Sequence, residues 1–354
     1  MDAMANGIEE DQLCRSGFDC VWDACWTRNP VDPRNLKMVR RVRDLATEHG
    51  YDIVHVHTPV ASFVTRYALD RLRHERNVKV VYTAHGFHFH PAGGAIRNKA
   101  FETLERKASR WTDSLVVMNR EDFKAAGEKA FVPLGRLRFM PGIGVDRSRY
   151  STLSVSRKDL DHVRAELAIS QDAPVLLMLA EFVKRKRHSD AIQAFSRVGH
   201  PRAQLILAGT GPLMESMKRL ASQLGVGDRV RFLGFRSDVP VLMKASRALI
   251  LPSSQEGLPR SVLEALSMGV PVIGSRIRGT TELLERNAGL LVDVGDIDKL
   301  AQAMELVIHD AGAAAVMGQT GREQSEMYDL THLLRMHEDL YKELLEIQSS
   351  PSLT

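Results

Sequence analysis

Apolar residues along this chain gather in short, nearly unbroken runs, separated by longer segments in which they recur every three or four positions. The runs are Asp52–His57, Lys79–Ala84, Ser114–Met118 and Leu137–Met140, then Pro174–Leu179, Gln204–Ala208, Val230–Leu233, Ala248–Leu251, Pro271–Gly274 and Gly289–Val292. A strand covered on both faces has no polar side to show, so each run predicts a strand inside a parallel sheet. Helical spacing marks Asn35–His49, Ile96–Trp111, Ser189–Val198, Leu213–Leu224 and Arg260–Met268. Strand and helix alternate throughout, which predicts two successive α/β blocks. The boundary is expected near Tyr150–Ser156, after the turn-rich Pro141–Asp146 and before a charged helix. Residues 1–150 and 151–330 are then the two domains. A last helical pattern, Leu330–Ile347, has no strand after it, and Ser349–Thr354 reads as a frayed tail.

Composition narrows the class. Of 354 residues, 44% are hydrophobic and 26% charged, the balance of a globular protein. The longest apolar stretches, Val175–Ala180 and Ala248–Leu251, are strand-sized and too short to span a bilayer. The first ten residues are acidic and hold no apolar signal core. Three cysteines (Cys14, Cys20 and Cys25) with no secretory signal point to reduced thiols and a cytoplasmic protein. The net charge of +4 is mild, but basic residues cluster at Arg40–Arg43, Arg71–Lys79 and Lys184–Arg187. Such runs can meet phosphates, anionic lipid or nucleic acid, or simply solvate a helix face.

Four segments carry candidate chemistry. Ser253–Leu266, with Glu256-Gly257-Leu258-Pro259-Arg260 at its head and Glu264 further on, follows the strand Ala248–Leu251 directly. Gly257 allows a close backbone approach, and Pro259 suits a first helical turn. A helix start there offers N–H groups to a phosphate, and Glu264 could accept hydrogen bonds from ribose hydroxyls. The bland alternative is a loop carboxylate and an exposed helix carboxylate. The second segment, Glu181 to His188, sets four consecutive cations after a buried strand. Charge of that kind suits a departing pyrophosphate, or else fans into water. The third, Gly209-Thr210-Gly211-Pro212, is a tight strand-to-helix turn that lacks the third glycine of a dinucleotide fingerprint. The fourth joins His55 and His57, on one face of their strand, to His85, His88 and His90 after the next. A sugar-contacting histidine, a metal site and satisfied structural histidines all remain open for it. The pairs Asp159/Asp161 and Asp296/Asp298 read as helix caps.

Together these segments resemble the retaining glycosyltransferases of family 4, with a GT-B fold, from about Thr27 to Tyr341. The Glu-x7-Glu motif is Glu256 to Glu264, Gly209–Pro212 matches the family's Gly-x-Gly-Pro turn, and Lys186 falls on the phosphate-loop lysine. Phe232–Arg236 matches the segment beside the base, and His85 the N-domain histidine near the sugar. Arg28–Pro30, Asp52–Pro59 and Thr83–Phe89 are similar to the branch that builds exopolysaccharide, capsule and glycan repeat units on a lipid pyrophosphate carrier. The resemblance implies two Rossmann-like domains facing a cleft, with acceptor bound by the first and donor by the second, and a final helix (331–348) crossing back to the first. It implies transfer of a hexose or N-acetylhexosamine from a UDP-sugar to a lipid-linked or saccharide acceptor. His85, Glu256 and Lys186 would be catalytic; Arg185, Gly209, Gly211, Arg236, Gly257, Leu258, Pro259 and Glu264 would bind the donor. No metal, other cofactor or nucleic acid is expected. A lipid acceptor implies peripheral contact with the inner face of the plasma membrane.

Two departures stand out. Glu181 occupies the position that usually holds an arginine, and Arg185 or Arg187 is expected to supply that charge. The N-domain also reads as incomplete: Met1–Gly7 looks like the stretch after the family's second strand. A late-called start is the preferred explanation, and a catalytically inactive nucleotide-sugar-binding module the alternative. Asp52–His57 is then expected to keep an unpaired edge or an improvised neighbour. A GT-B epimerase or phosphorylase shares the architecture, but glycogen-type phosphorylases need a much longer chain.

Overall fold

The computed structural model describes residues 2–5, 20–23, 26–27, 32–89 and 94–349. Cys14, Cys25, Arg28–Pro30, His90 and Ser350–Thr354 lie outside the described residues. The chain divides into two compact units, residues 1–140 with 336–354, and residues 141–335. The break falls at Met140/Pro141 rather than near Tyr150. The reason is local: Val145 exchanges backbone hydrogen bonds with Tyr328 and Leu330, and Ser267 Oγ donates to the Tyr150 carbonyl at 2.7 Å. These bonds bind the segment after the break to the second unit.

In the first unit, strands β1 (Asp2–Ala5) and β2 (Cys20–Asp23) form a separate parallel pair. No strand was expected at Asp2–Ala5 or at Cys20–Asp23. Four more strands, β3 (Ile53–His57), β4 (Lys79–Ala84), β5 (Ser114–Val117) and β6 (Leu137–Phe139), make a parallel sheet in that order. β3 is an edge strand, and among the described residues its only strand partner is β4, in register Ile53↔Lys79 to His57↔Thr83. Apolar side chains cover both faces of this sheet. Val56, Tyr82, Leu115 and Val117 join one core with Phe87 and Phe131. Val80 joins Val42, Ala68 and Leu69 in another, against helices Arg34–His49 and Pro59–Glu75.

Beneath the sheet lies a buried charge. Arg66 is 2% exposed, its guanidinium 4.1 Å over the Tyr82 ring. It donates to Glu105 at 3.1 Å and to Ser62 Oγ at 3.1 Å. The charge is tolerated because its fork of donors is answered.

The second unit is built on strands β7 (Val175–Leu179), β8 (Gln204–Ala208), β9 (Val230–Gly234), β10 (Ala248–Leu251), β11 (Val272–Ser275) and β12 (Gly289–Val292). All run parallel, in the order β12-β11-β10-β7-β8-β9. Side chains of β7 alternate between two cores, Val175 and Leu177 to one, Leu176 and Met178 to the other. The period of two sends a continuous apolar run equally to both faces. Burying each such leucine contributes roughly 2 kcal/mol.

The expected caps are refined. Helix Arg157–Glu166 is capped by Ser156, with Asp159 closing a capping box, while Asp161 pairs with Arg157. Asp296 does cap helix Ile297–His309, accepting from the Lys299 N–H at 3.0 Å, while Asp298 pairs with Arg197. Among the described residues, no helix is long and apolar enough to cross a membrane.

Candidate functional site

The strand order of the second unit fixes where a ligand can sit. From β7 the chain moves outward to β8 and β9, then returns to lay β10 on the other side of β7. The loops after β7 and β10 therefore leave neighbouring strands in opposite directions, which opens a crevice at the carboxyl end of the sheet. The Lys184–Arg187 turn and the Ser253–Pro259 loop are those two loops.

Backbone hydrogen bonds knit the loops together. Ser254 N–H donates to the Arg185 carbonyl at 2.8 Å. Phe182 N–H donates to the Thr210 carbonyl at 2.8 Å, and Gly209 N–H to the Gly234 carbonyl at 2.7 Å. The Gly209–Pro212 turn needs its glycines: φ is +148° at Gly209 and +149° at Gly211, and a Cβ on Gly211 would meet Phe182 N at 2.7 Å. Four loops, from β7, β8, β9 and β10, thus form one hydrogen-bonded floor.

Charge converges on that floor. Lys186 Nζ lies 2.6 Å from Glu256 Oε1, and Arg185 Nη1 lies 3.7 Å from Glu256 Oε2. The Glu256 side chain is 8% exposed and that of Lys186 14%, so this pair is not a solvated surface contact. Of the two arginines that could answer for Glu181, Arg185 reaches the Glu256 carboxylate, whereas Arg187 pairs with Asp190. Glu181 itself is exposed.

Helix Arg260–Ser267 carries the second glutamate. Pro259 stands just before it at φ −72°, as its N-cap residue rather than inside its first turn. Glu264 is 7% exposed and accepts from Arg260 Nε at 2.8 Å, one helical turn away. Burial first, and then the neighbouring Glu264 carboxylate, push the Tyr150 phenol up to about 12. Leu258 is buried, and Gly257 lies against Gly279 of the next loop.

Arg236 stands apart from this cluster. It donates to Glu166 at 2.6 Å and to Asp238 at 2.7 and 2.8 Å, and these bonds raise its pKa above the usual arginine range. Its charge is already matched by two carboxylates.

Sequence reasoning did not single out Arg260, Tyr150 or His188. The four-residue spacing of Arg260 and Glu264 was a usable signal; Tyr150 lies 114 positions from Glu264 (264 − 150) and left none. His188 is 3% exposed and stacks on Phe182 with centroids 4.0 Å apart. Its Nε2 has no partner among the described residues. Burial first, and the nearby Lys186 charge, hold its pKa down at about 4. The Ser253 hydroxyl, wholly buried at the end of β10, is likewise unpartnered among the described residues.

In the first unit, His85 follows β4, and its Nε2 lies 2.9 Å from Nδ1 of His57. His55 Nε2 meets Thr83 Oγ1 at 2.7 Å and its Nδ1 meets Tyr341 Oη at 2.6 Å. Among the described residues, no three His, Cys, Asp or Glu side chains are arranged to hold a metal ion.

A cavity of 680 Å³ in the second unit opens at the other end of the sheet, beside Val175, Arg247 and Pro271. Lys244 and Arg164, which line it, spend their donors on backbone carbonyls. Those two cations serve the fold.

Comparison with known proteins places the chain. Residues 160–324 match the family described as glycosyl transferases group 1, and residues 6–142 match the glycosyl transferase 4-like domain. The provisionally named glycosyltransferase EpsD of Bacillus subtilis is 31% identical over 91% of this chain and 84% of its own length. The UDP-Gal:α-D-GlcNAc-diphosphoundecaprenol α-1,3-galactosyltransferase of Escherichia coli is 27% identical over 79% of this chain and 74% of its own. Anabaena HepE, crystallised with UDP, aligns with a TM-score of 0.77 at 21% identity, covering 96% of this chain and 91% of that one. That likeness shows the fold to be of the GT-B class, as expected. By its identity to EpsD and its two matched domains, the chain belongs to the family 4, group 1 glycosyltransferases, enzymes of bacterial glycan synthesis.

Proposed function

We propose that this glycosyltransferase moves a hexose or N-acetylhexosamine from a UDP-sugar, with retention of the anomeric configuration, to a lipid-linked or saccharide acceptor. The observation that carries the reading is the convergence of Lys186 and Arg185 on Glu256 at the switch point of the second sheet. Cations at the end of a buried strand, beside a helix start, suit a diphosphate on which negative charge grows as the glycosidic bond breaks.

In this reading the donor diphosphate takes over Lys186 and Arg185, and the first-turn N–H groups at Arg260 add donors. Glu256, released from the cations, orients the sugar hydroxyls. Glu264, held by Arg260, accepts from the ribose. The backbone around Gly209, Gly211, Gly257 and Leu258 gives the nucleotide a close approach, and Arg236 fixes the loop beside the base. The family likeness gives His85 a contact with the transferred sugar. The scheme needs no metal. A lipid acceptor puts the work at the cytoplasmic face of an anionic membrane, which flotation with anionic liposomes tests.

Calorimetric titration with UDP, with ADP and GDP as controls, tests the donor site. Selective UDP binding that is lost in Glu264→Ala supports it. A folded protein that prefers GDP, or binds no nucleotide, overturns it.

A further inference from the structure

His55 and His85 lie against His57, and His337 and Tyr341 lie against His55. His55 and His57 alternate with Val56 on β3, so both leave the same face of the strand. Their ring centroids are 4.4 Å apart. His85 arrives from the end of β4, and His337 and Tyr341 from helix Leu330–Ser349, with the His337 ring 5.8 Å from that of His55.

The bonding pattern is asymmetric. His55 uses both nitrogens on hydroxyl partners, Thr83 and Tyr341. His57 Nδ1 and His85 Nε2 face each other at 2.9 Å. Across such a contact one nitrogen donates and the other accepts, so the two rings share a single proton between them. The bond made by one imidazole nitrogen sets what the other can do. With Nε2 of His85 committed to His57, Nδ1 is the nitrogen it has left for a ligand.

We propose that His57 is a positioning residue for His85: it holds the Nε2 edge of that ring, so that His85 meets the transferred sugar through Nδ1, in one tautomer and one orientation. The proposal rests on the sugar-contacting role given to His85 above. The surroundings agree with it. Burial first, then the neighbouring His85 and His337, hold the His57 pKa down at about 4, and burial lowers that of His85. The pair therefore stays uncharged at neutral pH, as a hydrogen-bonding unit and not a cation.

The test uses the full chain with ¹⁵N-labelled histidine, as wild type, His57→Ala and His57→Gln, with His85→Ala to assign the ring signals. In the wild type, His85 shows one tautomer and titrates below 6.5, its ordinary value. In His57→Ala the His85 signals become a tautomer mixture and their titration moves up toward that value. In His57→Gln, where an amide takes up the bond, the single tautomer returns. UDP release from UDP-N-acetylglucosamine follows the same order: kcat falls about tenfold in His57→Ala with little change in donor KM, and the glutamine variant recovers most of it. Ring signals of His85 that do not respond to His57→Ala overturn the proposal, as does a glutamine variant as slow as the alanine one. The sugar-contacting role fails separately: His85→Ala turning over like wild type removes it, whatever the ring signals show.

Discussion

Lys186 and Glu256 lie 70 residues apart in the chain, yet Nζ of one stands 2.6 Å from Oε1 of the other. A diphosphate donor must compete with this ion pair for the lysine. Glu256→Gln removes the competitor, so UDP should bind at least as tightly as to wild type while transfer falls. Lys186→Ala removes the cation itself, and the rate of UDP release should drop about 10²- to 10³-fold. Calorimetry and a UDP-release assay on both variants check this; weaker UDP binding in Glu256→Gln would contradict it.

Arg260 holds Glu264, and a residue distant in sequence, Tyr150, has its phenol shifted upward by the same carboxylate. If the donor-bound carboxylate draws on the Tyr150 hydroxyl, Tyr150→Phe removes a contact worth about 1 kcal/mol without opening a cavity. UDP affinity should weaken about fivefold, with the fold intact by circular dichroism. Unchanged affinity would mean that Arg260 alone positions the carboxylate.

The buried Arg66 predicts a stability effect in the first unit. Glu105→Ala leaves its guanidinium without a counter-charge and should cost about 3–5 kcal/mol. Tyr82→Phe, which keeps the ring under the guanidinium and loses one bond to Glu105, should cost about 1 kcal/mol. Urea denaturation of the two variants measures the difference, and equal midpoints would count against the network.

The loop floor depends on glycine at two positions. Alanine at Gly209 or Gly211 forces a positive φ on a residue with a Cβ and drives that Cβ into the Ala180–Phe182 backbone. Each variant should lose more than about 1 kcal/mol of stability and much of its UDP affinity. A variant of normal stability that still binds UDP would show that the turn can relax.

Acid should destabilise the protein before its carboxylates titrate. The folded-state pKa values of His57 and His188 lie at about 4 and that of His55 at about 3, against 6.5 for the free side chain. As pH falls below 6.5, the unfolded chain binds protons that the native state refuses, so the stability contribution of these groups is full above 6.5 and shrinks toward pH 4. The urea midpoint should fall progressively through that window. A flat midpoint there would show that the rings are exposed to water and protonate normally.

The central strands were legible in the sequence because strands such as β7 and β10 are buried on two faces, which removes polar positions from the run. Glu256, Glu264 and the Lys184–Arg187 turn were legible because each directly follows or opens a periodic segment. The helix Pro59–Glu75 escaped: its apolar positions are interrupted by Ser62, Thr65 and Arg66, buried polar residues whose partners lie elsewhere. So did the strands Asp2–Ala5 and Cys20–Asp23, each four residues long and too short to show a period. What sequence alone determined were the elements, their order and the chemistry of the loops, because periodicity and turn residues act over a few positions. Tertiary structure alone decided that β10 returns beside β7, that Lys186 meets Glu256, that Tyr150 neighbours Glu264, that Arg236 is already paired, and that His57 holds His85. Those are contacts between distant positions, set by strand order and packing, and no local pattern encodes them.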